Sequence, residues 1–258
     1  MKINKIMMAA AGLLCLVGLS SCEYDNYEAP SRTFSGRLIT ADGQPFQYDS
    51  AKTLFQFYQS GYGKIDTGIG MRTDNDGSFT QLLFDADYEL TPVNRALPFE
   101  IEEFPADASA DQRFTRMPFK ISGNVTKNFV VHPYYKITNL NATLEGKRIV
   151  ATFDVTKMKD TAEPAPRIKR TYIYLCTSIH VNSNISCQRL TQIKDAETPD
   201  FQTLSAAIPL SYYRDKAYYV NNFRTYAYYR VALELEGITD YYLMSEIKKI
   251  EDLPLTIE

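Results

Sequence analysis

The chain has no tryptophan and only two histidines, His132 and His180. So few histidines leave little scope for a Ser-His-Asp triad or a zinc cluster. The sequence also lacks a Gly-x-Ser-x-Gly elbow, the usual zinc motifs and a glycine-rich nucleotide loop with its lysine. A glycosidase needs only a pair of carboxylates, but nothing singles out a pair among the 31 acidic residues. We therefore expect a protein that is not an enzyme and has no metal or cofactor.

An excess of positive charge is missing as well. The chain has 28 basic and 31 acidic residues, with a net charge of −3 at neutral pH. Proteins that bind nucleic acid usually present a basic surface. The short basic segment Arg167-Ile-Lys-Arg170 follows a proline-containing loop and is typical of the start of a strand. We expect no nucleic-acid partner.

Long apolar runs are missing except near the start of the chain. Lys2 and Lys5 precede an uncharged run over residues 6–19, which is too short to span a bilayer comfortably. The run ends in Leu19-Ser-Ser-Cys22, which resembles a bacterial lipobox. We predict a signal peptide over residues 1–21, lipidation at Cys22 and attachment to a membrane through that lipid anchor. An ordinary signal peptide that ends beside a chance cysteine is the alternative.

Residues 22–31 are acidic and have no apolar periodicity, so we predict a solvated tether there. Acid-rich residues after a lipidated cysteine resemble the export signal that sends lipoproteins to the outer surface in Bacteroides-type bacteria. A plain flexible spacer explains the same residues equally well. The expected location is the outer membrane, with the protein lipid-anchored and exposed at the cell surface.

Cysteine is scarce, with four residues in the chain. Cys15 lies in the predicted signal peptide and Cys22 is the predicted lipidation site, which leaves Cys176 and Cys187. In an oxidising envelope these two are a possible disulfide. Two buried thiols are the alternative, because Cys176 ends the apolar run that begins at Tyr172.

Period-two alternation of apolar and polar residues dominates the rest of the chain and is separated by turn residues. It predicts strands over 34–39, 53–59, 68–73, 79–84, 85–90, 127–131, 134–137, 147–154, 171–175, 226–235 and 241–250. Residues 98–114 are predicted to be a loop. In the strand over 226–235, one face is expected to pack and the other to be exposed to water. The fold class is all-β, with two β-sandwich domains in tandem over 32–130 and 131–258.

An aspartate–glycine pair predicts a tight turn at residues 41–45, after the first strand, and another predicts a hairpin turn in the segment from Asp74 to Gly77. Asp74 and Asp76 also resemble the first ligands of a calcium loop. However, Glu89 lies too far along the chain to supply the closing ligand. We interpret the segment as a turn and keep calcium binding as the alternative.

Six short motifs follow one another along the chain, namely Phe34-x-Gly36, Asp76-Gly-Ser-Phe79, Phe84 with Tyr88, Pro98-Phe99, Asn128-Phe-Val-Val-His-Pro-Tyr134 and Tyr241-Tyr-Leu-Met-Ser245. In this order they resemble a family of two-domain outer-membrane lipoproteins of unknown function from Bacteroides-type glycan-utilisation loci. They span nearly the whole chain after the signal peptide. The resemblance implies a transthyretin-like N-terminal domain, similar to the regulatory domain of carboxypeptidases, and an immunoglobulin-like C-terminal domain.

Tyrosine is abundant, with 19 residues, several of them in adjacent pairs. Neighbours in a strand point to opposite faces, so one member of a pair is expected in the core and the other at the surface, where a ring can contact a sugar or a protein. The candidate ligand contacts are Tyr212, Tyr213, Tyr218, Tyr219, Tyr226 and Tyr228. The alternative is that these tyrosines only pack the sandwich, since tyrosine is a good strand residue.

Together with the family resemblance, the lipobox and the tyrosines favour an accessory binding protein of an outer-membrane system for polysaccharide capture and uptake. Its expected partners are a polysaccharide or the glycan-uptake proteins. A structural or adhesive surface protein of the fimbrial-subunit type is the alternative. A fimbrial subunit is expected to polymerise by strand exchange, whereas an accessory binder is expected to stay monomeric.

Overall fold

A computed structural model describes residues 28–59, 68–93, 96–105, 116–159, 161–162, 164–193, 199–215 and 224–255. Within these ranges strands are the main secondary structure, and four sheets pair into two tandem β-sandwiches. The predicted all-β fold class is therefore confirmed. The predicted signal peptide and Cys22 lie outside the described residues. Among the residues that are described, no helix is long and apolar enough to cross a membrane.

In the first sandwich the described residues form nine strands. One sheet has the order β4-β1-β9-β6, with the short β8 also paired to β1, and it faces a sheet of order β3-β2-β5-β7. The strands are β1 Arg32–Thr40, β2 Thr53–Gln59, β3 Ile69–Arg72, β4 Ser78–Leu83, β5 Ala86–Pro92, β6 Phe99–Ile101, β7 Met117–Ile121, β8 Val125–Thr126 and β9 Phe129–Pro133.

Phenylalanine rings from both sheets fill the core of the first sandwich. The ring centroid of Phe34 on β1 lies 5.4 Å from that of Phe57 on the facing sheet. Phe55 on β2 and Phe129 on β9 are 4.6 Å apart in the same way. Burying each such side chain contributes roughly 1.5–3 kcal/mol. These contacts across the sheets hold the sandwich together.

Gly36 lets β1 lie against the segment that follows β8. A Cβ atom at this position would meet the backbone oxygen of Lys127 at 1.8 Å and the Phe79 ring at 2.8 Å. The backbone N–H of Lys127 donates to the carbonyl of Ser35 at 2.9 Å, which fixes this close approach. Only glycine fits here, which gives the Phe34-x-Gly36 motif a physical reason.

The described part of the second sandwich comprises eight strands and one short helix. A sheet of order β10-β11-β14 faces a sheet of order β13-β12-β15-β16, with β17 also paired to β15. The elements are β10 Tyr135–Glu145, β11 Arg148–Lys157, β12 Ile168–Cys176, β13 Cys187–Gln192, β14 Phe201–Pro209, α1 Leu210–Asp215, β15 Ala227–Leu235, β16 Leu243–Met244 and β17 Lys248–Ile250.

Tyr134 is the junction between the two sandwiches, because β9 ends at Pro133 and β10 begins at Tyr135. The boundary predicted between residues 130 and 131 falls inside β9, whose Val131 still pairs with β6 of the first sandwich. The junction therefore lies a few residues after the predicted position.

Direct hydrogen bonds join the two sandwiches. Asp49 follows the β1 hairpin, and its Oδ1 accepts from the backbone N–H of Ser183 at 3.2 Å. The amide of Asn182 donates to the hydroxyl of Ser50 at 3.2 Å. Asp49 and Asn182 belong to loops of different sandwiches, so these bonds form a joint beyond the single covalent connection.

The prediction that one face of residues 226–235 is exposed to water is wrong. Tyr229, Val231, Leu233 and Leu235 are buried in the second sandwich, as expected. On the opposite face Arg230 and Ala232 are fully buried, and Glu234 is 7% exposed. The first sandwich covers that face at Arg230, and the Tyr172 hydroxyl covers it at Glu234. Alternation within a strand cannot reveal such a second packing partner.

Most predicted strands lie where the alternation placed them, but five strands and the helix were not predicted. β6 lies inside the expected loop over 98–114. The other four are β7, β8, β13 and β14, and the helix is α1. β6 and β8 are only three and two residues long, and exposed and partly exposed residues outnumber buried ones in β7, β13 and β14, so these strands carry little periodic signal.

Candidate functional site

The predicted ligand tyrosines do not form one open surface. Tyr213 is fully buried, and its hydroxyl donates to the carbonyl of Tyr226 at 3.3 Å. Its prediction as a ligand contact is therefore wrong, because α1 packs it into the core. Tyr212 is partly buried against the same core. Tyr218 and Tyr219 lie outside the described residues.

Tyr226 and Tyr228 do lie together, with ring centroids 5.9 Å apart in an edge-on arrangement. The Tyr226 ring is already occupied by cations. The Arg224 guanidinium lies 5.3 Å from its centroid and the Lys249 ammonium 4.6 Å. A sugar that stacks on this ring would have to displace charged groups that interact favourably with it.

Cys176 and Cys187 are thiols rather than a disulfide, and both are buried. Cys187 pairs directly with Leu175 in the β12–β13 register, so Cys176 is one residue beyond its pairing partner. Directly paired residues share a face of a sheet and their neighbours point to the other face. The structure thus has the two buried thiols that the sequence left as the alternative to a disulfide.

At the turn over residues 74–77, the Asp76 carboxylate is already engaged by neighbouring groups of the protein. Asp76 Oδ1 accepts from the backbone N–H of Ser78 at 3.0 Å, and Asp76 Oδ2 pairs with Arg37 at 2.9 Å. Partial burial raises the pKa of Asp76, but these partners outweigh it and the pKa lies below its usual value. This supports the hairpin-turn interpretation. Across the described ranges, no group of three or more histidine, cysteine or acidic residues is arranged to hold a metal ion.

A cleft of about 580 Å³ opens where the two sandwiches meet. Its walls come from three segments that are far apart in the sequence. The first is the hairpin loop after β1, residues 40–47; the second is the start of β10, residues 135–139; and the third is β16 with the two residues after it, residues 243–246. Val131, Pro133 and Met158 complete the lining. Neither sandwich forms this cleft alone.

Each wall has a local reason for its shape. The loop after β1 closes as a tight hairpin in which the N–H of Thr40 donates to the carbonyl of Gln44 at 2.9 Å, with Gly43 at a φ of 80°. On β10, Asn139 has a φ of 50° at a register shift against β11. Such a β-bulge redirects side chains and is over-represented beside functional sites.

The cleft combines an apolar floor with a polar rim. Phe46, Val131 and Met244 are buried beneath it. Exposed hydrogen-bonding side chains surround its mouth, namely those of Asp42, Gln44, Lys136, Asn139 and Glu246. A small number of polar groups around an apolar surface is the usual composition of a ligand site in proteins.

Charge at the rim is mixed. A hydrogen bond from the Thr40 hydroxyl lowers the pKa of Asp42, with a smaller contribution from the positive charge of Lys136. Glu246 pairs with Lys248 at 3.1 Å. On β10 the Asn139 amide donates to Asp154 at 2.8 Å and lowers the pKa of that carboxyl group. The rim therefore offers both donors and acceptors without a strong net charge.

Sequence reasoning missed this cleft because no motif marks it. Its hairpin was predicted only as a turn. Asparagine adopts the left-handed conformation more readily than most residues, but the alternation around Asn139 does not mark a bulge there. The aspartate–glycine pair at residues 42–43 was the one local sign of an ordered loop at this place.

Residues 32–132 match the family described as the N-terminal domain of a protein of unknown function, DUF3823. No curated protein matches the sequence. The matched region corresponds to the first sandwich. It confirms the resemblance to Bacteroides-type proteins of unknown function that the motifs predicted.

Solved structures resemble the chain over both sandwiches. A DUF3823 family protein from Parabacteroides merdae is 22% identical with a TM-score of 0.62, and the match covers 87% of this chain and all (100%) of that one. A DUF3823 family protein from Bacteroides ovatus is also 22% identical, with a TM-score of 0.58 and coverage of 86% and 99%. A Bacteroides uniformis protein with a suggested carbohydrate-binding role is 17% identical, with a TM-score of 0.56 and coverage of 86% and 100%. These similarities establish the shared two-sandwich fold.

Proposed function

We propose that this protein is a non-catalytic binding component of an outer-membrane system for polysaccharide capture, and that a segment of glycan binds in the cleft between its sandwiches. The observation that carries the proposal is the cleft itself, with its apolar floor and polar rim. The lipobox supports a lipid-anchored position at the cell surface.

The size of the cleft suits a small glycan segment. Ligand sites in proteins typically enclose roughly 300–1,000 Å³, and this cleft has a volume of about 580 Å³. It is open at the mouth, where the exposed side chains lie. A sugar chain therefore has room to enter with part of its length outside.

The chemistry of the lining also fits a sugar. Hydroxyl groups of a glycan donate to the carboxylate of Asp42 and the amide oxygen of Gln44, and they accept from the ammonium of Lys136. The C–H face of a sugar ring packs on Phe46 and Met244. A sugar ring presents both hydroxyl groups and an apolar C–H face. It therefore fits the polar rim and the apolar floor better than a purely apolar ligand or a highly charged one does.

The comparisons add limited support. Carbohydrate binding has been suggested for the Bacteroides uniformis protein that shares this fold. The proposal that the protein is non-catalytic comes from the sequence, which contains none of the standard catalytic motifs.

The test is binding of the chain from residue 23 onward to plant and host polysaccharides, by affinity gel electrophoresis and calorimetry. The cleft variant carries Asp42→Ala and Lys136→Ala, both at exposed rim positions. The matched control carries Asp87→Ala and Lys120→Ala, an exposed aspartate–lysine pair 3.9 Å apart on β5 and β7. We expect the cleft variant to bind about thirtyfold more weakly, because the two lost hydrogen bonds to charged groups together contribute about 2 kcal/mol or more.

The outcomes separate the possible sites and roles. Unchanged affinity in the cleft variant, together with loss of binding after Tyr226→Ala and Tyr228→Ala, would move the site to those tyrosines. A clean negative across the panel would reject glycan binding. In that case, a ladder of polymers in the cell envelope would favour the structural or adhesive role.

A further inference from the structure

We infer that Arg230 is a positioning residue that holds two walls of the interdomain cleft at a fixed separation, an inference that rests on the proposed function in so far as the cleft binds a ligand. Arg230 lies on β15 of the second sandwich and has no exposed surface. It does not line the cleft and is not expected to touch a ligand.

The guanidinium of Arg230 donates hydrogen bonds to both sandwiches. Its Nε and Nη2 atoms donate to the carbonyl of Ser245 at 3.1 and 2.7 Å. Its Nη1 atom donates to the carbonyl of Tyr48 at 2.9 Å and to Asn75 Oδ1 at 3.0 Å. Ser245 belongs to the second sandwich, whereas Tyr48 and Asn75 belong to the first.

These partners are parts of the cleft walls or lie directly beside them. Ser245 lines the cleft on one side. On the other side Phe46 and Gln47 line it, and Tyr48 is the next residue in the chain. The N–H of Tyr48 donates to the carbonyl of Asn75 at 3.0 Å, so the loop and the neighbouring hairpin turn are held together. One side chain thus links the wall at residues 46–47 to the wall at residue 245.

Breaking the hydrogen bonds of Arg230 to the first sandwich is unfavourable. A buried guanidinium needs hydrogen-bond acceptors, because an unpaired charge in the interior is costly. Burial lowers the pKa of Arg230 to about 10, and the negative charge of Asp49 opposes that shift, so the side chain stays charged at neutral pH. Moving the sandwiches apart would remove its acceptors on the first sandwich.

The chemistry of arginine suits this role better than that of lysine. A guanidinium has five N–H donors in a rigid planar fork, whereas an ammonium has three on a flexible stem. Arg230 uses the fork to reach backbone carbonyls in two directions. Fixing the walls in advance lowers the ordering cost of binding, which is the general advantage of a preformed site.

The test measures the separation of the two sandwiches, which carry the cleft walls, and measures ligand affinity in a second experiment. Spin labels are attached at Thr80→Cys on β4 and Thr152→Cys on β11, two exposed strand positions in different sandwiches, in the chain from residue 23 onward. The other cysteines of that chain, Cys176 and Cys187, are buried thiols. Electron–electron distance measurement then reports the distribution of sandwich separations.

Two variants and a matched control are compared. Arg230→Lys replaces the planar guanidinium fork by a single ammonium group. Asn75→Ala removes one acceptor from the first sandwich and leaves β15 unchanged. The control is Arg214→Lys, because Arg214 is also buried but donates only within the second sandwich, to the carbonyls of Arg224 and Pro254. Circular dichroism checks that each variant is folded.

We expect a broader distance distribution in Arg230→Lys and Asn75→Ala and an unchanged one in Arg214→Lys. For a polysaccharide that the parent chain binds, we expect about tenfold weaker affinity in Arg230→Lys. A narrow, unchanged distribution in both joint variants would overturn the inference even if a glycan binds. A broadened distribution in a chain that binds no glycan would uphold the role of Arg230 in setting the walls while the proposed function fails.

Discussion

Gly36 and Gly123 differ in the space around their backbones. A Cβ atom at Gly36 would lie 1.8 Å from a backbone oxygen, whereas one at Gly123 would meet nothing within 4 Å. The first position is constrained by the close approach of two backbone segments, which cannot move aside as a flexible side chain can. The second is open.

We therefore expect Gly36→Ala to lower the free energy of unfolding by about 3 kcal/mol or more, since overpacking of this kind forces backbone shifts. Gly123→Ala is the control and is expected to change stability by less than about 0.5 kcal/mol. Urea unfolding of both variants measures the difference. Equal stabilities would show that the segment at Lys127 does not lie against β1.

Glu234 is a carboxylate whose partners make it sensitive to pH. It accepts from the Tyr172 hydroxyl at 2.7 Å and from the Lys169 ammonium at 3.0 Å. Burial raises its pKa, but the hydrogen bonds from the neighbouring tyrosine, lysine and arginine outweigh burial, and the pKa lies below its usual value. A carboxyl group with a lowered pKa stabilises the fold above its unfolded-state pKa, and that stabilisation is lost as the pH falls through the folded-state pKa.

Glu234→Gln is expected to lose about 2 kcal/mol of stability at neutral pH, the range for hydrogen bonds to a charged group. The difference in free energy of unfolding between Glu234→Gln and the parent protein should become smaller once the pH falls below about 4, because the Glu234 carboxylate of the parent is then protonated. Urea unfolding across that pH range measures both. Glu89→Gln, at an exposed ion pair with Arg116, serves as the control and should cost less than about 1 kcal/mol.

At the scale of the element, β15 differs from an ordinary strand because both of its faces are buried. Its alternating pattern suggests that Ala232 is a tolerant surface position. The structure places Ala232 opposite Met244, with no exposed surface. A charge introduced there has no water to solvate it.

Ala232→Asp is therefore expected to destabilise the protein by about 3 kcal/mol or more. Thr152→Asp, at an exposed position of β11, is the matched control and should stay within about 0.5 kcal/mol of the parent. Thermal and urea unfolding distinguish the two. Similar stabilities for the two variants would mean that the outer face of β15 is open to water.

The other elements follow simpler rules. β2 runs from Thr53 to Gln59, the same residues that the alternation predicts. The short edge elements depend on their neighbours, since β6 is only three residues long and pairs with β9. A strand of that length is stabilised by its partner more than by its own residues.

At the scale of the whole molecule, the joint between the sandwiches decides whether they behave as one unit. The Asn182 amide and the Ser50 hydroxyl, 3.2 Å apart, contribute a bond that crosses the joint. Either single substitution removes this hydrogen bond. The second substitution, at the partner residue, therefore costs less stability in the double variant than it does alone.

The double variant Ser50→Ala with Asn182→Ala is thus expected to be more stable than the sum of the two single effects predicts, by about 0.5–1 kcal/mol. Equilibrium unfolding of the four proteins in this cycle gives the coupling energy. Ser50→Ala combined with the distant Thr152→Ala is the control and should be additive within about 0.5 kcal/mol. Strict additivity in the first cycle would argue against a closed joint.

The sequence by itself determined the all-β class, most of the strands and the turns at Gly43 and Gly77. These features are local: alternation has a period of two in any strand, and a left-handed turn favours glycine wherever it occurs. Only the tertiary structure decided which alternating face is covered twice, where Arg230 finds its acceptors and that three distant segments form a cleft. Those outcomes depend on one sandwich packing against the other, and no pattern within a single strand carries information about its neighbour across the joint.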